Sequence, residues 1–395
     1  MVFNLFKGAA REVPQVKASA TGRVVAMGAM GGGGGRVAWT PRDAASLTRN
    51  GFAGNPVGFR SVKMIAEAAA SLPLVCQDVA RRYEVHPVMG LLSRPNAGQG
   101  RIDLFEALYA QILLTGNGYL EAVTAEEGLP VELHCLRSDR MQVVPGADGW
   151  PMAYDYVVGA KKHRFDVTGG RAPILHVKSF HPQDDHYGLS PMQAAASAMD
   201  VHNAATRWSK ALLDNAARPS GAIIYNGPDG AGGLSPDQFE RLQVEMENYH
   251  QGARNAGRPM LLEGGLDWKP MGFSPSDMEF QKTKEAAARE IALAFGVPPM
   301  LMGIPGDATY ANYAEAHRAF YRLTVLPLAR KVTEAVSAWL DGFEGAGVAV
   351  SPDPDGVPAL AAERDALWNR VGAAEFLSRA EKRAFLGLPI EDEAA

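Results

Sequence analysis

The stretch from Ser274 to Leu340 constrains the chain most, because it spells a helix, a Pro/Gly-rich turn and a second, longer helix. The first helix opens at Ser276-Asp277-Met278-Glu279, the S-x-x-E form of a capping box. It stops at Phe295-Gly296-Val297-Pro298-Pro299, with glycine at the end and two prolines that cannot continue it. A loop from Met300 to Thr309 follows. The second helix carries Tyr313, His317, Phe320, Leu323, Leu326, Val332, Val336, Trp339 and Leu340, and Pro327 inside it predicts a kink. Two helices joined by an elbow form a mechanical element more than a catalytic one.

Upstream, the pattern is α+β. Val57 to Ala70 reads as a helix with Val62, Ile65, Ala66 and Ala69 on one face. A strand over Ser71–Gln77 and a short helix after His86 lead to a second amphipathic helix, Ile102 to Leu114. Short strands are then expected at Tyr119–Val123, Leu133–Leu136, Met141–Val144, Tyr154–Val158 and Ile174–Val177, giving an antiparallel sheet with segregated helices. Ser190-Pro191-Met192-Gln193 caps a long helix running to about Asn215.

Between that helix and the one at 276–295 lies a small insertion, Gly221 to Gly272, with its own strands and a helix started at Ser235-Pro236-Asp237-Gln238. Two helices bracketing a small αβ module describe a stalk with a tip. On the second stalk helix, Phe280, Ala287, Ile291, Ala294 and Phe295 form the apolar stripe. Lys282, Glu285 and Arg289 share the opposite face, and Lys284 sits at the stripe's edge. Leu360 to Phe385 reads as helical with a break near Gly372, and the tail is acidic.

Composition excludes several functions. With 395 residues the chain is long enough for two or three domains, and a net charge of -5 argues against wrapping nucleic acid with a basic surface. Cys76 and Cys135 are the only cysteines, so zinc ribbons and dithiol motifs are excluded and a reducing compartment is expected. There is no long apolar run to span a membrane and no apolar core of a signal peptide, so synthesis and retention in the cytoplasm are expected. Gly31 to Gly35 lack the strand and GK[ST] ending of a phosphate loop and read as part of a flexible N-terminus over 1–54. His176, His181, Asp184, Asp185 and His186 are the one cluster suggesting a metal-dependent hydrolase, but their spacing matches no ligand pattern and suits a turn.

Several motifs, collinear from about residue 55 to 340, resemble the portal proteins of tailed bacteriophages of the siphophage type. They are Thr115-Gly116-Asn117-Gly118-Tyr119, Tyr187-Gly188-Leu189-Ser190-Pro191, Asn215-Ala216-Ala217-Arg218-Pro219-Ser220-Gly221, the run from Tyr249 to Gly257, Ile291 to Pro299, and Thr324-Val325-Leu326-Pro327. The short length also suits a gene transfer agent, a phage-like particle. The resemblance implies an α+β ring subunit, commonly in a dodecamer, seated at one capsid vertex of a virion or phage-like particle assembled in the bacterial cytoplasm. Double-stranded DNA would pass along the axis during packaging and ejection. The partners implied are other copies of the chain, the large terminase, a head-tail adaptor and the major capsid protein. No enzyme activity, catalytic residue, metal or cofactor is implied.

By the same resemblance, 55–189 and 313–345 correspond to a wing, 190–218 and 273–297 to stem helices, 219–272 to a clip, and 346–395 to a crown and tail. Residues 298–312 correspond to a tunnel loop. Its DNA-facing residues would be Met300, Leu301, Met302, Gly303, Ile304, Pro305, Gly306, Asp307, Ala308, Thr309 and Tyr310. Lys282, Lys284 and Arg289 would line the channel on the stem. Tyr225, Asn226, Asp229, Tyr249, Arg254 and Trp268 would meet terminase or adaptor. The loop has no Lys or Arg and carries Asp307, which suits a low-friction sleeve more than a clamp.

Overall fold

The structure is a computed structural model that describes residues 39–78, 80–125, 128–214, 221–225, 237, 240–241, 266–270, 275–305, 309–344 and 347–389. Its first helix, α1 (Ala44–Leu47), runs into a π-helical turn at Thr48–Ala53. These residues fall in the stretch expected to be flexible. They are held because Leu47 is buried and Thr40 donates from its backbone N–H to Asp200 at 2.8 Å.

Helix α2 (Pro56–Ala70) starts where Asn55 accepts from the backbone of Val57 and Gly58, both at 3.0 Å, with proline at the first helical position. Strands β1 (Leu74–Gln77) and β2 (Arg82–Tyr83) precede helices α3 (Pro87–Ser93) and α4 (Arg101–Thr115). Six strands follow: β3 (Asn117–Val123), β4 (Glu132–Leu136), β5 (Met141–Pro145), β6 (Pro151–Val158), β7 (Lys161–Asp166) and β8 (Ile174–Lys178). They form two antiparallel three-stranded sheets, ordered β4-β3-β8 and β5-β6-β7. The predicted mixture of helices and antiparallel sheet is therefore present.

The long helix after Ser190 is split into α5 (Pro191–Ala194) and α6 (Ala196–Asp214), and Ser190 accepts from Gln193 N at 2.9 Å as its cap. Strands β9 (Gly221–Tyr225) and β10 (Leu266–Pro270) pair antiparallel, and α7 (Pro275–Phe295) returns beside α6. Helix α7 begins one residue before Ser276, so that serine is inside the helix and not its cap. Trp208 of α6 stacks on Phe280 of α7 with ring centroids 4.3 Å apart. After the elbow come α8 (Tyr310–Phe320), a π turn at Tyr321–Val325 and α9 (Leu326–Glu344). The kink predicted at Pro327 takes this form: the proline lacks the N–H that the Leu323 carbonyl would accept, and the helix widens just upstream. Strand β11 (Ala349–Pro352) pairs with β1, and α10 (Ala361–Ala373) and α11 (Arg379–Leu386) end the described chain.

One large core joins α2, α4, the end of α7 and α9, with Ile65, Leu104, Leu108, Ile112, Ile291 and Val332 inside it. A second, small core of Tyr119, Met141, Tyr154, Phe165 and Ile174 lies between the two three-stranded sheets.

Candidate functional site

The elbow is built from its ends inward. Helix α7 closes with a Schellman pair: Gly296 N donates to Leu293 O and Val297 N to Ala292 O, both at 2.9 Å. Gly296 takes φ of +66°, which only glycine adopts readily, and Val297 and Ala292 are both buried. A 3₁₀ turn, Pro299–Met302, follows and ends at Gly303 with φ of +72°. Ile304 N then donates to Pro299 O at 3.2 Å, so the turn folds back on itself. Thr309 restarts the helix by accepting from Asn312 N at 3.2 Å.

Three side-chain contacts tie this turn to three different helices. Thr324 Oγ1, in the π turn, donates to Gly296 O at 2.6 Å. Ser61 of α2, whose hydroxyl donates to Val57 O at 2.8 Å, lies 3.4 Å from the Met302 sulfur. Arg289 of α7 donates its guanidinium to Pro305 O. A cleft of about 530 Å³ opens beside the turn, lined by Arg289, Pro298, Met300, Pro305, Asn312 and Ala316 among others.

The residues predicted to face DNA separate accordingly. Leu301 and Met302 are half-buried and pack against the large core. Gly303, Pro305 and Thr309 are exposed, and Met300 and Ile304 are half-buried. Tyr310 is the first residue of α8, so the loop ends three residues earlier than the predicted boundary at 312. Gly306, Asp307 and Ala308 lie outside the described residues. Of the stem cations, Lys282 is exposed and Arg289 holds the elbow. Lys284 is half-buried near His202 of α6, whose pKa is held down by burial and by that lysine's charge. Among the clip residues, Tyr225 and Trp268 fall in the paired strands β9 and β10. Asn226, Asp229, Tyr249 and Arg254 lie outside the described residues.

The His/Asp stretch is not a metal centre in form: among the described residues no group of three or more His, Cys, Asp or Glu is placed to hold a metal ion. His176 lies between Asn117 Oδ1, 3.0 Å from Nε2, and Tyr154 Oη, 3.3 Å from Nδ1, and stacks on Tyr119. Burial, then the charge of Lys178, pushes its pKa down to about 3, so the ring is neutral. His181 accepts from Gln183 N at 3.1 Å, and Asp184 accepts from His186 N at 2.8 Å and Tyr187 N at 3.0 Å. These are turn-closing bonds.

The turn they close brings two of the sequence motifs together. Asn117 Oδ1 accepts from Gly188 N at 2.8 Å, and Ser179 N donates to Gly116 O at 2.8 Å. A Cβ on Gly116 would stand 2.2 Å from Gly188 O, which explains why small residues sit at this crossing. Asn117 belongs to a motif of the family resemblance, and its reach to Gly188, 71 residues away, leaves no local signal.

The sequence matches the phage portal protein family over residues 56–387. The chain belongs to that family. An uncharacterised protein of Rickettsia bellii strain RML369-C is 39% identical over 339 residues, covering 85% of this chain and 87% of that one. The probable portal protein of Streptomyces phage phiC31 is 28% identical over 308 residues, covering 74% of this chain and 63% of the phage protein. Among solved structures, a chain from the neck of an empty GTA particle is 73% identical with a TM-score of 0.75, covering 94% of this chain and all of that one. A chain from the neck of a native GTA particle, computed with C12 symmetry, is 72% identical with a TM-score of 0.74. The portal fold is thus shared along nearly the whole sequence, and the metal-hydrolase alternative finds no support.

Proposed function

We propose that copies of this chain close into a ring of the C12 kind at the neck of a phage-like particle and that DNA passes along the ring axis. The observation that carries this reading is the 73% identity to the GTA neck chain over 94% of the sequence, alongside the family match over 56–387. The chain acts as a structural conduit and not as an enzyme. In this reading α6 and α7 are the stem, the β9–β10 module is the clip, the elbow is the tunnel loop, and α10 and α11 belong to the crown. The clip receives the large terminase during packaging and a head-tail adaptor afterwards, and the major capsid protein surrounds the wing.

The elbow's chemistry fits passage of DNA. Each neutralised phosphate adds counterion-release affinity, and a ring repeats any cation many times. The segment 296–305 carries no charged side chain, and Arg289 beside it is bound to Pro305 O. A sleeve of this kind leaves phosphates weakly held. The test is particle assembly with and without the chain. Particles made with it should show a twelve-fold ring by negative-stain imaging and contain nuclease-protected DNA. Particles that fill equally well when the chain is deleted would end the reading.

A further inference from the structure

We infer that Thr324 and Arg289 are positioning residues that hold the DNA-facing elbow at a fixed place relative to the stem and the kinked helix. The inference rests on the conduit reading and names how this chain sets the elbow's position. Thr324 lies in the π turn and binds the carbonyl of Gly296, the residue that terminates α7. A Cβ on Gly296 would stand 2.8 Å from Thr324 Oγ1, so the threonine side chain sits against Gly296 as closely as a glycine permits. Arg289 closes the other end of the turn through Pro305 O. Ser61, fully buried on α2, packs against the Met302 sulfur at the middle of the turn.

The elbow is therefore clamped at both ends by side chains that belong to two mechanically distinct elements, the straight helix α7 and the π-interrupted helix α8–α9. Helix α9 has Pro327 in its first turn, so the carbonyl pattern around the π turn is already irregular. A π turn is a single-turn interruption of an α-helix. With Thr324 inside that turn and Arg289 on α7, the elbow is tied to both helices and held in place between them.

The experiment compares particles carrying wild-type chain, Thr324→Val, Thr324→Ser and Arg289→Gln. Hydrogen exchange of the 300–304 amides is read in assembled rings, and nuclease-protected DNA is read per particle. Valine keeps the shape of threonine but removes the donor, so exchange in the elbow is expected to rise about fivefold, the weight of one net hydrogen bond. Protected DNA is expected to fall while ring assembly is unchanged, Ser restores both, and Arg289→Gln repeats the valine phenotype. Thr324→Val with wild-type exchange, or with faster exchange but wild-type DNA content, overturns the inference. Wild-type particles that hold no DNA would instead remove the conduit reading on which it stands.

Discussion

The His176–His186 loop and the Gly296–Pro305 elbow invite opposite first impressions. The loop holds three histidines and two aspartates, while the elbow is made of proline, methionine, leucine, isoleucine, valine and glycine. In the structure, much of the loop's polar chemistry closes turns within it and to Asn117. The plain elbow is the segment tied to α2, α7 and the π turn at once. Most side-chain hydrogen bonds of the loop end within it or at Asn117, whereas the contacts of the elbow reach three separate elements.

The strongest way to break the contrast is to remove the floor under the elbow. Ile291 is fully buried in the large core one turn before Gly296. Ile291→Ala should cost about 3 kcal/mol in urea denaturation, because a cavity replaces a packed side chain. A loss below half of that would mean the end of α7 is not anchored there. On the loop side, Asn117→Ala should cost about 2 kcal/mol by the same assay, since Gly188 N and His176 lose a buried acceptor. Little change would show that the two motifs meet without depending on each other.

Gly296→Ala is expected to lose about 1 kcal/mol through its positive φ, with a further penalty from the approach to Thr324. Combining it with Thr324→Ala, which removes the hydroxyl at 2.8 Å, should leave the conformational part when both are followed by urea denaturation. A smaller effect is a slope with pH. His176 is neutral when folded, with its pKa near 3, but takes up a proton below about 6.5 when unfolded. Its contribution is therefore complete above pH 6.5 and is lost progressively as pH falls toward 3. Denaturation midpoints across that window should drop for wild type and flatten for His176→Leu; identical slopes would contradict a buried neutral ring. The smallest effect belongs to His181→Ala, expected within about 0.5 kcal/mol, with no response of the melting temperature to chelator. A large shift on metal removal would reverse the contrast between loop and elbow.

Much of the fold was legible because its signals are local. Ser190 caps the helix it precedes as read, and the glycine stop read at Gly296 ends α7, here in a Schellman pair, whereas the capping box read at Ser276 falls inside the helix. Strand β7 was missed because Lys161-Lys162-His163-Arg164-Phe165-Asp166 offers one apolar residue and no alternation. It is held by pairing with β6, where Asp155 lies beneath Arg164 and Lys162. The hydrogen bond from Arg164 leads the forces that lower that carboxyl's pKa to about 2. The elbow's position was legible, but its tethers were not. Ser61 and Met302 are 241 residues apart and Thr324 and Gly296 are 28 apart, separations that no periodic pattern encodes. Leu301 and Met302 look like loop residues in sequence, and only the packing of α2 beneath them shows that they face the core.

The most direct test of the central claim is electron cryo-microscopy of DNA-filled particles carrying this chain. The account predicts a twelve-fold ring at one vertex, with Pro299–Pro305 of every subunit at the wall nearest the DNA and the Thr324–Gly296 contact intact. A ring whose elbows point away from the axis, or a neck built without this chain, would contradict it.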